Sequence, residues 1–142
     1  MAKINPYLNF NGNCEEAFNF YKSVFGGEFL DFDRFNSAPA EDQVPGVDGE
    51  LIMHVSLPIG ENDILMGSDS PEAMGGVTPG TNCHISLQTE GAEETDKLFN
   101  GLSAVGKITM PLEETFWGAR FGMFVDKFGI PWMVNQAGGA TE

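Results

Sequence analysis

His54 and His84 are the two side chains of this chain that titrate near neutrality unaided. Either could shuttle a proton if it lined a dry pocket beside a substrate carbonyl. The plainer role for each is a hydrogen-bonded place in a sheet wall. Arg120 is one of only seven basic residues. Its two-pronged guanidinium could anchor a carboxylate or phosphate, or pair with one of the chain's own carboxylates. Asp69 and Asp126 fall where strands give way to turns, and capping the turn is the common job there. Cys83 and His84 are adjacent but alternate along a predicted strand, so their side chains point apart and make no nucleophile–base pair. Cys83 then reads as a small buried thiol. Two Cys and two His cannot assemble a structural zinc cluster.

The elements that must hold these residues form a repeated figure. Residues 7–26, YLNFNGNCEEAFNFYKSVFG, read as an alternating strand, a polar turn and an amphipathic helix stopped by glycine. Asn13 is the expected helix cap, with Glu16 three residues on. Ala17, Phe18, Tyr21, Val24 and Phe25 make the apolar stripe. Strands follow at 28–35, 50–58 and 63–68, after a Pro/Gly-containing loop over 36–49. Residues 69–81 are rich in Gly and Pro and connect to a second round. This has a strand over 83–89, a helix over 92–105, and strands over 107–112, 120–126 and 131–135. Glu113 and Glu114 open a polar, solvated turn, and the tail from 136 is polar.

Setting Tyr7 on His84 places Leu8 on Ile85 and Phe10 on Leu87. The chain is therefore expected to be one α+β domain over 1–142, built of two pseudo-symmetric β-α-β-β-β units of about 4–68 and 82–136. Their sheets are expected to curve around a cleft. Strand parity puts Leu8, Phe10, Ile85 and Leu87 toward the helices, and Tyr7, Asn9, His84 and Ser86 toward the cleft. Arg120 shares parity with Gly122 and Phe124. Tyr7, Met66, Phe116, Trp117, Phe124 and Met133 would line that cleft with aromatic and thioether groups, or pack as plain core.

Composition narrows the partners. Twenty-one acidic against seven basic residues leave a net charge of −14, which argues against nucleic acid and against an anionic membrane surface. No run approaches the roughly 20 apolar residues of a membrane span, and the N-terminus lacks the apolar core of a signal peptide. A cytoplasmic protein with reduced thiols is the expectation. Neither a P-loop, a dinucleotide fingerprint nor a G-x-S-x-G elbow is present.

The pattern resembles the vicinal oxygen chelate superfamily of glyoxalases, bleomycin-resistance proteins and dioxygenases, and within it the PhnB-type branch, often labelled 3-demethylubiquinone-9 methyltransferase-like. The residues carrying the resemblance are Tyr7-Leu8-x-Phe10-x-Gly12, Cys14-Glu15-Glu16-Ala17, Phe20-Tyr21, His54 and Met66-x-Ser68-Asp69. Phe116-Trp117-Gly118-x-Arg120, Asp126-Lys127-Phe128-Gly129 and Trp132 complete them. Lys127 departs from the branch's usual proline. No glycine-rich loop follows a strand to hold a methyl donor's nucleotide. The resemblance implies metal positions at Pro6 or Tyr7, Met66, His84 and Met133, of which only His84 is a credible ligand for a divalent ion. The two methionines suit soft Cu(I) at best.

Three functions follow as expectations. The first is a metal-free, cofactor-free module binding a small organic molecule, cationic or aromatic, through Tyr7, Asn9, His54, Met66, His84, Phe116, Trp117, Arg120, Phe124 and Met133. The second is a lyase, isomerase or dioxygenase relative with a divalent metal, using His84 with His54 as a further catalytic candidate. The third is an interaction protein with a filled cleft. A homodimer is implied by family habit and by open sheet edges that need cover.

Overall fold

The computed structural model describes residues 2–116 and 118–137. These form two compact units, divided between Thr78 and Pro79. The first runs β1 (Tyr7–Phe10), α1 (Cys14–Phe25), β2 (Asp31–Arg34), β3 (Ile52–Ile59) and β4 (Asp63–Asp69). The second runs β5 (Ile85–Thr89), α2 (Gly91–Ser103), β6 (Lys107–Glu114), β7 (Arg120–Val125) and β8 (Pro131–Gln136). Short 3-10 turns at 35–37, 40–42 and 72–74 interrupt the loops of the first unit. Each unit is β-α-β-β-β with a four-stranded mixed sheet, ordered β1-β4-β3-β2 and β5-β8-β7-β6. In both, the first strand runs parallel to the last and the remaining pairs are antiparallel. The architecture is the expected α+β fold.

In the first unit Phe10, Ala17, Phe18, Tyr21, Val55, Leu57 and Leu65 are buried. Phe18 meets Phe10 and Tyr21 edge-on, at centroid distances of 6.1 and 5.4 Å. That geometry sets a positive ring edge against a negative ring face. Gly67 makes this approach possible, because a Cβ there would lie 2.6 Å from the Phe18 ring. In the second unit Phe99 seats on Gly122 in the same manner, also at 2.6 Å. The cross-strand partners are Val55↔Gly67 in one sheet and Gly122↔Val134 in the other. Each sheet thus spends one Gly and one Val at the same place beneath its helix, in opposite order.

The start of α1 differs from the expectation. Asn13 makes no side-chain cap bond. Buried Asp69 does the work from the end of β4: its Oδ1 accepts from Gly12 N and Cys14 N at 2.9 and 3.0 Å, and its Oδ2 from Ile52 N at 2.9 Å. A carboxylate satisfies orphan helix N–H groups better than the amide of Asn13, and it ties three elements together. Burial, reinforced by Asp69 and Glu15, pushes the Cys14 thiol up, so it stays protonated and inert. In the second unit Asp126 holds the turn between β7 and β8, in line with the turn-capping role. It accepts from Phe128 N and Ile130 N through Oδ1, and from Trp132 Nε1 through Oδ2 at 2.9 Å.

Three further expectations are corrected. Cys83 is exposed, because β5 begins only at Ile85 and Cys83 lies in the connection with no strand beside it. Glu113 and Glu114 belong to β6, which extends two residues past the expected end. Strand β2 covers only Asp31–Arg34 of the span 28–35.

Candidate functional site

One face of each sheet is covered by its own helix, so the chemistry falls to the other face. In the first unit the register Tyr7↔Met66, Ser56↔Met66 and Asp31↔Ser56 lays Tyr7, Met66, Ser56 and Asp31 in one row across four strands. Asn9↔Ser68 and Asp33↔His54 belong to the next row. The same parity carries Leu8 and Phe10 to the helix side, as the sequence requires.

A polar chain runs through this face. The Tyr7 hydroxyl lies 3.2 Å from His54 Nδ1, and the two rings stack at 5.7 Å with an interplanar angle of 29°. His54 Nε2 lies 3.0 Å from Ser56 Oγ, which donates to Asp31 Oδ2 at 3.3 Å. An ionised carboxylate only accepts, so Ser56 must spend its proton on Asp31 and receive one from His54. Neutral His54 is therefore held as the Nε2–H tautomer, and its bare Nδ1 accepts the Tyr7 proton. What the chain turns outward is oxygen lone pairs: those of Tyr7, which is 43 % exposed, and those of Asp31. Asp31 Oδ2 also stands 4.0 Å from His54 Nε2.

Ser68 and Asn9 extend this polar face with a long contact of 3.5 Å between Oγ and Oδ1. A surface cavity of about 790 Å³ in the same unit, lined by Asn11, Asp48, Leu51, Pro71, Glu72 and Val77 among others, contains none of these residues. Its wall is pinned by Asn11, whose side-chain amide both donates to and accepts from the Val77 backbone.

In the second unit Met133 lies between Ser86 and Met123. Because Met66 lies beside Tyr7 and Met133 beside Ser86, the equivalent of Tyr7 is Ser86 rather than His84. His84 sits two residues earlier, half-buried, just before β5. Phe124 does not belong with the lining residues. It is fully buried on the helix side, edge-on to Phe99 at 5.2 Å and stacked with Trp132 at 6.5 Å. Arg120 faces the same side and is committed there, donating to Asp96 of α2 at 2.9 Å and to Gln136 at 3.1 Å. Phe116 stands in the β6–β7 turn and is 96 % exposed. Trp117 lies outside the described residues.

Sequence reasoning missed Asp31 and Ser56. The alternation of β2 gave it no clear sidedness, and only the pairing Asp31↔Ser56 brings the carboxylate to the hydroxyl. It also missed Arg34, whose guanidinium grips Glu15 with two hydrogen bonds of 2.9 Å and donates to Glu50 O at 2.7 Å. These bonds hold the Glu15 carboxyl below its usual range.

The donors at the positions marked for metal are a phenol, an imidazole and two thioethers, drawn from Tyr7, His84, Met66 and Met133. Among the described residues no group of three or more His, Cys, Asp or Glu could hold a metal ion. Such a set does not fit a divalent ion that prefers carboxylate and imidazole.

The sequence model of the Glyoxalase/Bleomycin resistance protein/Dioxygenase superfamily matches residues 3–134. Protein YjdN of Escherichia coli is 34 % identical over 140 residues, covering 93 % of both chains. Protein PA1353 from Pseudomonas aeruginosa has a similar structure, with a TM-score of 0.85 and 41 % identity over 96 % of this chain and 98 % of that one. The PhnB protein from Bacillus cereus, described as a putative 3-demethylubiquinone-9 3-methyltransferase, gives a TM-score of 0.72 at 28 % identity over 96 % of this chain and 100 % of that one. With the paired β-α-β-β-β units already in view, this match over nearly its whole length makes the chain a member of the glyoxalase/bleomycin resistance/dioxygenase superfamily, with PhnB-type relatives.

Proposed function

We propose that this protein binds a small, cationic or aromatic organic molecule on the helix-free face of its first sheet, without the divalent metal centre of the glyoxalases. The observation that carries this reading is the hydrogen-bond chain from Tyr7 through His54 and Ser56 to Asp31, whose direction follows from the acceptor-only carboxylate at its end. Its internal donors are all spent, and it offers acceptors and a carboxylate outward. A ligand bearing N–H or quaternary ammonium charge complements that; an anion does not. The Tyr7 ring adds a cation–π surface and Met66 an adaptable thioether floor. The net charge of −14 works in the same direction over longer range.

A thermal-shift and calorimetry screen tests this, using benzyltrimethylammonium, an acridinium dye and neutral and carboxylate analogues of each. A cationic probe at a hundredfold excess over its Kd adds about 2.7 kcal/mol of stability. The carboxylate analogues leave the transition unmoved. Tighter binding of the carboxylates would overturn the reading. So would stoichiometric uptake of Ni, Zn, Fe or Mn that His84→Ala abolishes, which belongs to a metal-dependent enzyme.

A further inference from the structure

The helix-free face of the second sheet carries a different set of groups. Met110 pairs with Met123 across β6 and β7, and Met123 pairs with Met133 across β7 and β8. Paired residues share a face, so three methionines stand side by side on three adjacent strands. Three of the chain's seven methionines are thereby in a single row. The row is not core: Met110 is 46 % exposed and the other two are half-buried, whereas the helix side of the same strands holds buried Phe124, Trp132 and Val134. Ser86 ends the row on β5. The adjoining rows carry Glu113 with Phe121 on one side and Lys107 with Val125 on the other.

We infer that this row is a binding site for a soft monovalent cation of the Cu(I) or Ag(I) type. Thioether sulfur is neutral and polarisable, so it selects soft ions and ignores Zn, Mg and Ca. Adjacent strands lie about 4.8 Å apart, which sets the outer two methionine Cα atoms roughly 10 Å from each other. The unbranched methionine side chain, with three rotatable bonds, closes that span from both sides onto an ion above Met123. Glu113 and Lys107 roughly balance each other, so the selectivity comes from the sulfurs rather than from local charge. The three thioethers suffice without His84, which lies just before β5. The site is independent of the Tyr7–His54 chain, and failure of either leaves the other standing.

The test uses the full chain with Cys83→Ser, because the exposed Cys83 thiol would otherwise capture a soft ion first. The protein is labelled at the methionine methyl carbons and titrated with Ag(I), which undergoes no redox chemistry here, and separately with Zn(II). Ag(I) is expected to move the Met110, Met123 and Met133 methyl resonances together and saturate at one equivalent, while Zn(II) leaves them in place. Met123→Leu, which conserves side-chain volume, should weaken Ag(I) binding by more than about tenfold. The exposed Met110→Leu serves as a second variant and should weaken it likewise. Unmoved methyls, shifts centred on Met53 or Met74, equal response to Zn(II), or saturation unchanged in both variants would each overturn the site.

Discussion

The Tyr7 hydroxyl stands 3.2 Å from His54 Nδ1, joining the first strand of the chain to the third across an intervening one. The two residues are 47 positions apart, and the contact fixes which imidazole nitrogen carries the proton. Long-range ¹⁵N correlation spectra above the ring's titration should show His54 as the Nε2–H tautomer. Ser56→Ala removes the acceptor at Nε2, and the Nδ1–H tautomer should then gain population. A wild-type ring already dominated by Nδ1–H would contradict the direction of the chain.

Tyr7→Phe separates binding from stability. The residue is 43 % exposed and its hydroxyl bonds only at the surface, so the thermal midpoint should stay nearly unchanged. The ring remains for a cation to rest on, but the outward lone pairs are gone. A loss of about 1 kcal/mol in affinity for a cationic N–H probe follows, roughly fivefold, read by calorimetry. A quaternary ammonium, which donates no hydrogen bond, should lose less.

Much of this face was legible in the chain. The alternation in Tyr7-Leu8-Asn9-Phe10 separates wet from dry side chains without any tertiary knowledge, and Met66 follows from its place near the end of the last strand. Asp31 was not legible, because Phe29 and Phe35 share its parity while Glu28 and Arg34 share that of Leu30 and Phe32, so neither side of the span 28–35 reads as the apolar one. On β7 the same logic misled. Arg120 was open to two roles, anchoring a ligand or pairing with a carboxylate, and its parity with Phe124 set both among the lining residues. The arginine's polarity is instead absorbed by Asp96 on α2, an ion pair that no local pattern announces. Asp69 capping α1 is of the same kind, since the partner lies 55 residues from Cys14.

Asp126 anchors the last hairpin, and its loss should be felt globally. Three N–H groups point at one buried carboxylate, among them the indole of fully buried Trp132. Asp126→Ala leaves these donors without their acceptor and should cost about 3 kcal/mol in chemical denaturation. Asp126→Asn keeps one oxygen and turns an amide donor toward another donor, so it should recover only part of that.

Gly67 and Gly122 test the seating of the helices. Gly67→Ala would drive a methyl to 2.6 Å from the Phe18 ring and 2.9 Å from the Leu8 carbonyl, and Gly122→Ala to 2.6 Å from Phe99. The Leu8 carbonyl is a closer backbone neighbour than Leu112 Cα, which would lie 3.1 Å from a Cβ at Gly122, so Gly67→Ala should be the costlier. Each should destabilise by about 1–3 kcal/mol. In Gly67→Ala, the added change Phe18→Leu should return part of the loss by vacating the space, a coupling that a double-mutant cycle measures.

Glu15 gives the acid limb of the stability curve a named contributor. Arg34 holds its carboxyl below the ordinary value of 4.5, mainly through the paired hydrogen bonds. A group whose folded value is depressed stabilises the fold above its unfolded value, and the contribution disappears as pH falls through the folded one. Glu15→Gln should therefore lower the thermal midpoint slightly at pH 7. The gap between variant and parent should narrow as the pH drops below 4.5 and close once Glu15 is protonated in both states. The pair is solvent-facing, so added salt should shrink the neutral-pH gap as well. A gap that persists unchanged into acid would assign the effect to packing of the Arg34 stem over Phe32, whose ring centre lies 5.3 Å from the guanidinium carbon, rather than to charge.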